Sequence, residues 1–313
     1  MTYKLKILTL LISCNIFADY QITVLATNIS NYGGFGEWSF SALYESDKES
    51  ILFDTGFHED TVLHNAKILG KDLSKVNKVV LSHFHSDHTG GLIKLRKAYK
   101  KINKYAFSEV YVARGFFDQR YDKNGRKEGP GNYQDSLEFK KDAEKEGIKF
   151  IILDDYKMIA NNIYVTGTVE RTVESYNGPK GFFLDEELTI PDIIKDDQSV
   201  GMLTDNGWIM MSGCGHSGVI NTAKKLQSIK NVPVYGAIGG FHFEFSIGGG
   251  GEGNSTSGAI ILDNMRLTGY QGNDLIIFNG ISYPPSLEAF AWGNSQFYVT
   301  EGEGFTEGTN ALT

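Results

Sequence analysis

Four residues with metal-binding side chains lie within six positions of the segment LSHFHSDHTGGL, residues 81–92: His83, His85, Asp87 and His88. In an extended or turning segment, residues two apart point the same way, so His83 and His85 can bind one metal ion. The next turn directs Asp87 and His88 towards a second position nearby. Imidazole and carboxylate ligands suit Zn²⁺, Fe or Mn rather than Ca²⁺. The segment therefore predicts a metal centre.

The pattern around the cluster places it at the end of a strand. KVVLSHF, residues 78–84, is typical of a buried strand, and IKLRKAYKKIN, residues 93–103, is typical of a helix. Between them, Gly90 and Gly91 are expected to let the backbone turn tightly into that helix. A strand followed by glycines and a helix is a context that supports a functional motif.

Short apolar runs and longer amphipathic runs alternate along the rest of the chain. Helices are predicted over residues 60–70, 135–147 and 219–230, and a long polar loop over residues 117–135. Strands are predicted over residues 21–27, 39–46, 50–56, 109–115, 149–155, 162–169, 207–213, 234–243, 259–265, 274–280 and 296–304. Two strand-rich halves with helices outside favour an α/β fold, a four-layer αββα sandwich. No linker divides it, so residues 20–313 are predicted to form one domain.

Composition and charge disfavour one class of partner. The 313 residues carry a formal net charge of −8, and no run of Lys and Arg is interleaved with aromatic residues. This pattern disfavours nucleic acid as a partner. A small molecule is the expected substrate.

The N-terminal segment MTYKLKILTLLISCNIFADYQ has the pattern of a secretory signal, with Lys4 and Lys6 ahead of an apolar run. Two processing modes fit. Residues 1–18 are removed as a signal peptide by cleavage after Ala18, or the LISC sequence directs lipidation of Cys14. We therefore expect an exported protein, either periplasmic or a membrane-anchored lipoprotein, with a lipid anchor as its only membrane contact. Either mode leaves Cys214 without an intramolecular disulfide partner.

Several motifs together resemble a known family. LSHFHSDHTGGL, preceded by ILFDTG, resembles the metallo-β-lactamase fold superfamily, which has the αββα sandwich. DDQSV, SGCGHSGVINT and AIGGFHF resemble the branch that includes the dihydropterin–ribofuranosylaminobenzene-phosphate synthase of methanopterin biosynthesis and related bacterial metallo-hydrolases. The resemblance extends from about Gln21 to His242.

The resemblance implies roles for individual residues. It places His83 and His85 at a first metal, and Asp87 and His88 at a second. Asp54, in FDTG, is implied to support the histidines from behind, as ligating imidazoles generally require. The implied cofactor is one or two divalent ions, with Zn²⁺ first and Mn, Fe or Mg as alternatives.

Three further ligand candidates come from the second half of the chain: Cys214, His216 and His242. His216 is favoured over Cys214, for which a small buried hydrophobic side chain is an equal alternative. His242 follows a strand and precedes a glycine-rich stretch, which favours a site role. His58 and His64 match no motif and are expected on a helix surface.

One ligand of the branch is missing. Where the branch has a late HCTG-like segment with a histidine, this chain reads LIIFNGISYPP, so Asn279 is the nearest equivalent and a weak ligand candidate. VTGTVERT stands where the superfamily has a third histidine, as it does in the branch. The second metal is therefore expected to be weakly held or absent.

The chemistry implied is metal-assisted hydrolysis of a small ester, phosphoester or lactone, with an anionic substrate. A Zn²⁺-type ion lowers the pKa of bound water from about 15.7 to about 7, and Asp87 is the candidate that orients the resulting hydroxide or takes its proton. One alternative is a pterin-linked transferase that displaces pyrophosphate. Another is a non-catalytic metal-binding relative. Redox chemistry is disfavoured because relatives that perform it have an acidic residue where His85 stands.

Overall fold

The computed structural model describes residues 20–28, 30, 33–176 and 178–241, and the backbone of two short strands beyond them. The strands are β1 Tyr20–Ala26, β2 Ser41–Ser46, β3 Ser50–Phe53, β4 Lys78–Val80, β5 Glu109–Ala113, β6 Arg120–Asp122, β7 Lys127–Glu128, β8 Lys149–Leu153, β9 Lys157–Ala160, β10 Ile163–Val165, β11 Phe182–Phe183, β12 Ser199–Thr204, β13 Gly207–Ser212, β14 Val234–Gly239, β15 Arg266–Leu267 and β16 Leu275–Ile276. The α-helices are α1 Thr61–Ile68, α2 Ser86–Thr89, α3 Leu92–Tyr99, α4 Ser136–Lys145 and α5 Val219–Ile229, with a 3₁₀ turn at Leu73–Lys75.

Two sheets form the centre of the fold. The first has the order β1-β2-β3-β4-β5-β8, antiparallel from β1 to β3 and parallel from β3 to β8. The second has the order β14-β13-β12-β10-β9, with β13 and β14 parallel and the other pairs antiparallel. A smaller sheet has the order β11-β6-β7, and β15 pairs with β16.

The side chains of β3 show what packs against each face of the first sheet. On β3, Ile51 and Phe53 pack with Val200 and Met211 of the second sheet, in the core between the sheets. Leu52, between them, belongs to the cluster that contains apolar residues of α1, α3 and α4. Successive strand residues point to opposite faces, so helices cover the outer face of the first sheet.

The outer face of the second sheet is covered in the same way. Trp208 and Met210 of β13 pack with Val219, Ala223 and Leu226 of α5. The predicted four-layer αββα sandwich is therefore confirmed. Within the part of the chain that is described, no helix is both long and apolar enough to cross a bilayer.

The elements differ from the sequence-based prediction in three respects. The predicted loop over residues 117–135 contains β6 and β7, because the Asp122 carboxylate accepts hydrogen bonds from the amides of Asn124 and Arg126 and closes a hairpin. Strands β9, β11, β12 and β15 were not predicted. The predicted strand over residues 78–84 ends at Val80, since the amide of Ser82 donates to the Asp54 side chain at 2.6 Å and not to a neighbouring strand.

The strand ends bring the polar loops together. The loops after β3 and β4 leave the first sheet at the same edge, since these strands are parallel. The loop after β13 and the loop before β12 meet there from the second sheet. The two sheets are joined directly at this point, because the amide of Gln198, before β12, donates a hydrogen bond to the carbonyl of Ser82, after β4, at 2.9 Å.

Candidate metal centre

Four potential ligands converge where these loops meet. Their ligand atoms all lie within 4.8 Å of one another: His83, His85, Cys214 and His216. Nε2 of His83 is 2.9 Å from Nδ1 of His85. The ring of His216 lies 4.8 Å from that of His83 and 5.2 Å from that of His85, measured between centroids. His85 is half-buried and the other three are buried, so the group is open on the side of His85.

A second group shares one member with the first. The ligand atoms of Asp87, His88 and Cys214 also lie within 4.8 Å of one another. Nε2 of His88 is 3.1 Å from Sγ of Cys214 and 3.6 Å from Oδ2 of Asp87. The Cys214 sulfur therefore lies between two positions that could each hold an ion.

Asp54 lies behind both groups. Its backbone φ is +55°, in the left-handed region, and its side chain is fully buried. Oδ2 of Asp54 is 2.6 Å from Nδ1 of His88. A carboxylate can only accept, so Nδ1 of His88 carries the proton and Nε2 is left as the ligand atom. Burial raises the pKa of Asp54, and His88 partly offsets this.

Ser82 extends this arrangement to the first group. Its hydroxyl donates to Oδ2 of Asp54 at 2.8 Å and lies 2.9 Å from Nδ1 of His83. With the hydroxyl proton committed to Asp54, the Ser82 oxygen accepts from Nδ1 of His83, and Nε2 faces the cluster. One buried carboxylate therefore sets the tautomers of two imidazoles.

Cys214 and His88 are electrostatically coupled. Burial raises the pKa of the Cys214 thiol to about 12, and His88 only partly offsets this effect. Burial lowers the pKa of His88, but the Cys214 sulfur and the carboxylates of Asp87 and Asp54 more than compensate, so this pKa lies well above its ordinary value. In the absence of a metal ion, the Cys214 thiol therefore holds its proton at neutral pH.

The two glycines after the cluster have a different role from the predicted one. Gly90 and Gly91 have ordinary helical φ angles of −63° and −83°, so the turn itself does not need glycine. A Cβ at Gly90 would lie 1.8 Å from the carbonyl oxygen of Phe57, and a Cβ at Gly91 would lie 2.4 Å from that of Thr55. These glycines allow α2 to pack directly against the loop that carries Asp54.

A segment of the chain after β10 borders the cluster. Arg171 donates to the carbonyl oxygen of His216 at 3.3 Å and to that of Ile194 at 3.0 Å. The ring of Phe182 lies 5.6 Å from that of His85, and the ring of Tyr176 lies 6.4 Å from that of His216. This segment therefore places one cation and two aromatic rings beside the cluster.

The structure brings together six of the predicted ligand candidates and Asp54. Two others, His242 and Asn279, lie outside the described residues. His58 is exposed on the loop before α1 and not on a helix, and His64 of α1 stacks on Phe35 at 3.8 Å between ring centroids. Neither histidine belongs to the two ligand groups.

Sequence reasoning missed the residues that connect the loops. Arg120 was not identified, and DDQSV was noted only as a motif without roles for Asp196, Asp197 or Gln198. A polar run directly ahead of an apolar strand was the available signal. Ser82 gave none, since a serine beside histidines is common in any loop.

Comparisons with known proteins agree with this geometry. A family model described as "Metallo-beta-lactamase superfamily" matches residues 39–224. The chain is 29% identical over 236 residues to the 7,8-dihydropterin-6-methyl-4-(beta-D-ribofuranosyl)-aminobenzene-5'-phosphate synthase of Methanocaldococcus jannaschii, which covers 72% of this chain and 78% of the relative. It is 31% identical over 227 residues to an uncharacterised protein of the same organism, covering 71% and 79%.

A solved structure is also similar. The crystal structure of Tm1679, a metal-dependent hydrolase of the beta-lactamase superfamily, aligns with a TM-score of 0.56 and 27% sequence identity. The alignment covers 72% of this chain and 77% of that one.

Proposed function

The chain belongs to the metallo-beta-lactamase superfamily, and we propose that it is a metal-dependent hydrolase of a small, anionic ester, phosphoester or lactone. The observation that carries the proposal is the convergence of His83, His85, Cys214 and His216 within 4.8 Å. Asp54 holds the loop after β4 from behind through Ser82 and His88. Tm1679, which has a similar fold, is a metal-dependent hydrolase.

The donor set fits a divalent ion. Three imidazoles and a thiol are the ligand types that Zn²⁺ prefers, and a deprotonated thiol is a poor ligand for Mg²⁺. His83, His85, His216 and Cys214 would hold the first ion. His88, Asp87 and the same Cys214 would hold a second. When bound, such an ion supplies a Lewis acid that activates water near neutral pH.

The chain's own residues have separate parts in the proposed reaction. The side chain of Asp87 is 18% exposed and lies at the margin of the cluster, where it can accept a proton from an attacking water. Arg171 lies beside His216, and its positive charge favours a substrate or leaving group that is an anion. Phe182 and Tyr176 border the cluster and would exclude water from it.

A second candidate function is a pterin-linked transferase that displaces pyrophosphate. The 29% identity to the methanopterin-related synthase favours it. Both reactions would use the same cluster. They differ in the acceptor, which is water for the hydrolase and an aromatic amine for the transferase.

A substrate screen tests the proposal. The zinc-loaded protein is assayed on aryl phosphoesters, carboxylic esters and lactones, and in parallel on a pterin pyrophosphate with and without an aminobenzene acceptor. We expect hydrolysis that is lost in His83→Ala and retained in His58→Ala, a matched control for an exposed histidine outside the cluster. Product formation only with the aminobenzene acceptor would favour the transferase. No turnover by a fully metal-loaded protein would favour a metal-binding relative.

A further inference from the structure

Two adjacent buried carboxylates, those of Asp196 and Asp197, each accept a hydrogen bond from one of two ligand loops. The first ligand loop carries His83 and His85, and the second carries Cys214 and His216. Oδ2 of Asp196 accepts a hydrogen bond from the amide of Phe84 at 2.9 Å. Oδ2 of Asp197 accepts one from the amide of Ser217 at 2.7 Å, and the Asp197 carbonyl accepts from the Ser217 hydroxyl at 3.1 Å. Phe84 stands between His83 and His85, and Ser217 directly follows His216. The Asp196–Asp197 pair is thus in contact with the backbone of both loops.

Arg120 fixes the first of these contacts. Its Nη2 donates to Oδ1 of Asp196 at 2.7 Å, and its Nε donates to Oδ2 of Asp192 at 3.1 Å. Its guanidinium also lies 3.9 Å from the centroid of the Phe84 ring. Phe84 is therefore bound through its ring by Arg120 and through its amide by Asp196. Together these contacts fix the bend at His83 and Phe84 that brings His83 and His85 together.

The next residue continues the connection. The Gln198 amide donates to the carbonyl of Ser82, and its side-chain Nε2 donates to the carbonyl of Leu81 at 2.8 Å. Residues 196–198 thus form hydrogen bonds to the first ligand loop on both sides of His83. The same segment carries Asp197, which binds the second ligand loop. The distance between the loops is consequently set by this short, fully buried stretch.

We propose that Asp196 and Asp197 are positioning residues that set the separation between the His83–His85 loop and the Cys214–His216 loop. This inference rests on the proposed metal site. Burying two neighbouring carboxylates costs free energy that an apolar pair would not, and Arg120 contacts only one of them. Their position is explained by the two backbone amides that they bind, one in each ligand loop. Neither carboxylate belongs to the ligand groups themselves.

The test compares zinc affinity across three buried carboxylates of the same region. Asp196→Asn leaves an amide that cannot accept from both Phe84 and Arg120. Asp197→Asn replaces the charged acceptor of the Ser217 amide with a neutral one, which weakens that hydrogen bond. Asp192→Asn is the matched control, because Asp192 also binds Arg120 but does not contact either ligand loop. Affinity for Zn²⁺ is measured by competition with a chromophoric chelator, and unfolding is followed on the metal-free proteins.

We expect Asp196→Asn and Asp197→Asn each to weaken zinc binding by about 10–100-fold, the usual effect of losing a contact behind the ligands. Asp192→Asn should lower the unfolding temperature while it leaves zinc affinity within a few-fold of wild type. With Co²⁺ as a spectroscopic probe, Asp197→Asn should reduce the thiolate-to-cobalt absorption of Cys214. Asp196→Asn should retain that absorption once cobalt is saturating.

The outcomes separate this inference from the proposed function. Wild-type protein that binds no zinc would overturn the metal site itself. Wild-type protein that binds zinc tightly, with Asp196→Asn and Asp197→Asn binding equally tightly, would overturn only the positioning role. If these variants do not fold, Phe84→Leu and Ser217→Ala each remove one side-chain contact to the same network. A few-fold weaker zinc binding is then expected, and unchanged affinity in both would contradict the inference.

Discussion

The Asp54 carboxylate lies 2.6 Å from Nδ1 of His88 and receives the Ser82 hydroxyl at 2.8 Å, which in turn lies 2.9 Å from Nδ1 of His83. Both imidazoles are thereby held with Nε2 directed towards the cluster. The two ligand positions are consequently oriented by one side chain behind them, and changes to that side chain should affect both.

Asp54→Asn tests this relationship. Asn tolerates the left-handed backbone at φ +55°, so the substitution should leave the loop conformation intact. The amide has one acceptor oxygen, so it cannot replace both Oδ2, which receives His88 and the Ser82 hydroxyl, and Oδ1, which receives the Ser82 backbone amide. We therefore expect zinc affinity to fall by about 10–100-fold. Asp192→Asn, equally buried but without contact to a histidine, is the control. Equal zinc affinity in Asp54→Asn and wild type would show that Asp54 does not orient the ligands.

Zinc binding should release protons. Without metal, burial holds the pKa of Cys214 at about 12, so its thiol is protonated at neutral pH. Burial lowers the pKa of His88, but Cys214, Asp87 and Asp54 raise it well above its ordinary value. Ligands must lose these protons to bind. Affinity should therefore rise with pH, by about tenfold per unit for each proton released.

The measurement is titration calorimetry in two buffers of different ionisation enthalpy. Cys214→Ser should release about one proton fewer per zinc ion than wild type. Identical proton release in the two proteins would exclude the thiol as a ligand.

Gly90→Ala should destabilise the fold at the site. The added Cβ would meet the Phe57 carbonyl oxygen at 1.8 Å, and this backbone cannot move without displacing the loop that leads to Asp54. We expect a loss of about 1–3 kcal/mol or more in the free energy of unfolding. Gly70→Ala is the contrast, because nothing lies within 4 Å of its Cβ and only its φ of +67° is unfavourable. Urea denaturation that ranks Gly70→Ala as the more damaging change would contradict this packing.

The sequence allowed much of this architecture to be predicted. Alternating runs such as SILF and KVV predicted strands whose faces belong to different cores, and the αββα sandwich followed from their order with the helices. The histidines were found because His83, His85, Asp87 and His88 are adjacent in the chain. The pairing of Arg120 with Asp196 joins residues far apart in sequence, and the Asp196 contact to Phe84 spans 112 positions. Such contacts depend on tertiary packing, which local patterns do not contain.

Export remains a prediction from the N-terminal pattern. We expect the mature protein to begin at Cys14, with a lipid attached, or near Asp19 after simple cleavage. Mass spectrometry of the protein from fractionated cells distinguishes these products. Cys14→Ser should abolish lipidation in the first case and leave processing unchanged in the second. A protein that begins at Met1 in the cytoplasmic fraction would refute export and strengthen the pterin-linked alternative.

The most direct test of the account is the metal content of the purified protein after loading with Zn²⁺ and removal of excess ion, determined by elemental analysis. We predict at least one tightly bound zinc per chain in wild type and in His58→Ala. The zinc should be lost in His83→Ala and in His85→Ala, with little change in secondary structure by circular dichroism, because these ligands lie on a loop over a packed sandwich. Wild-type zinc content in either of the two cluster variants would contradict the central claim.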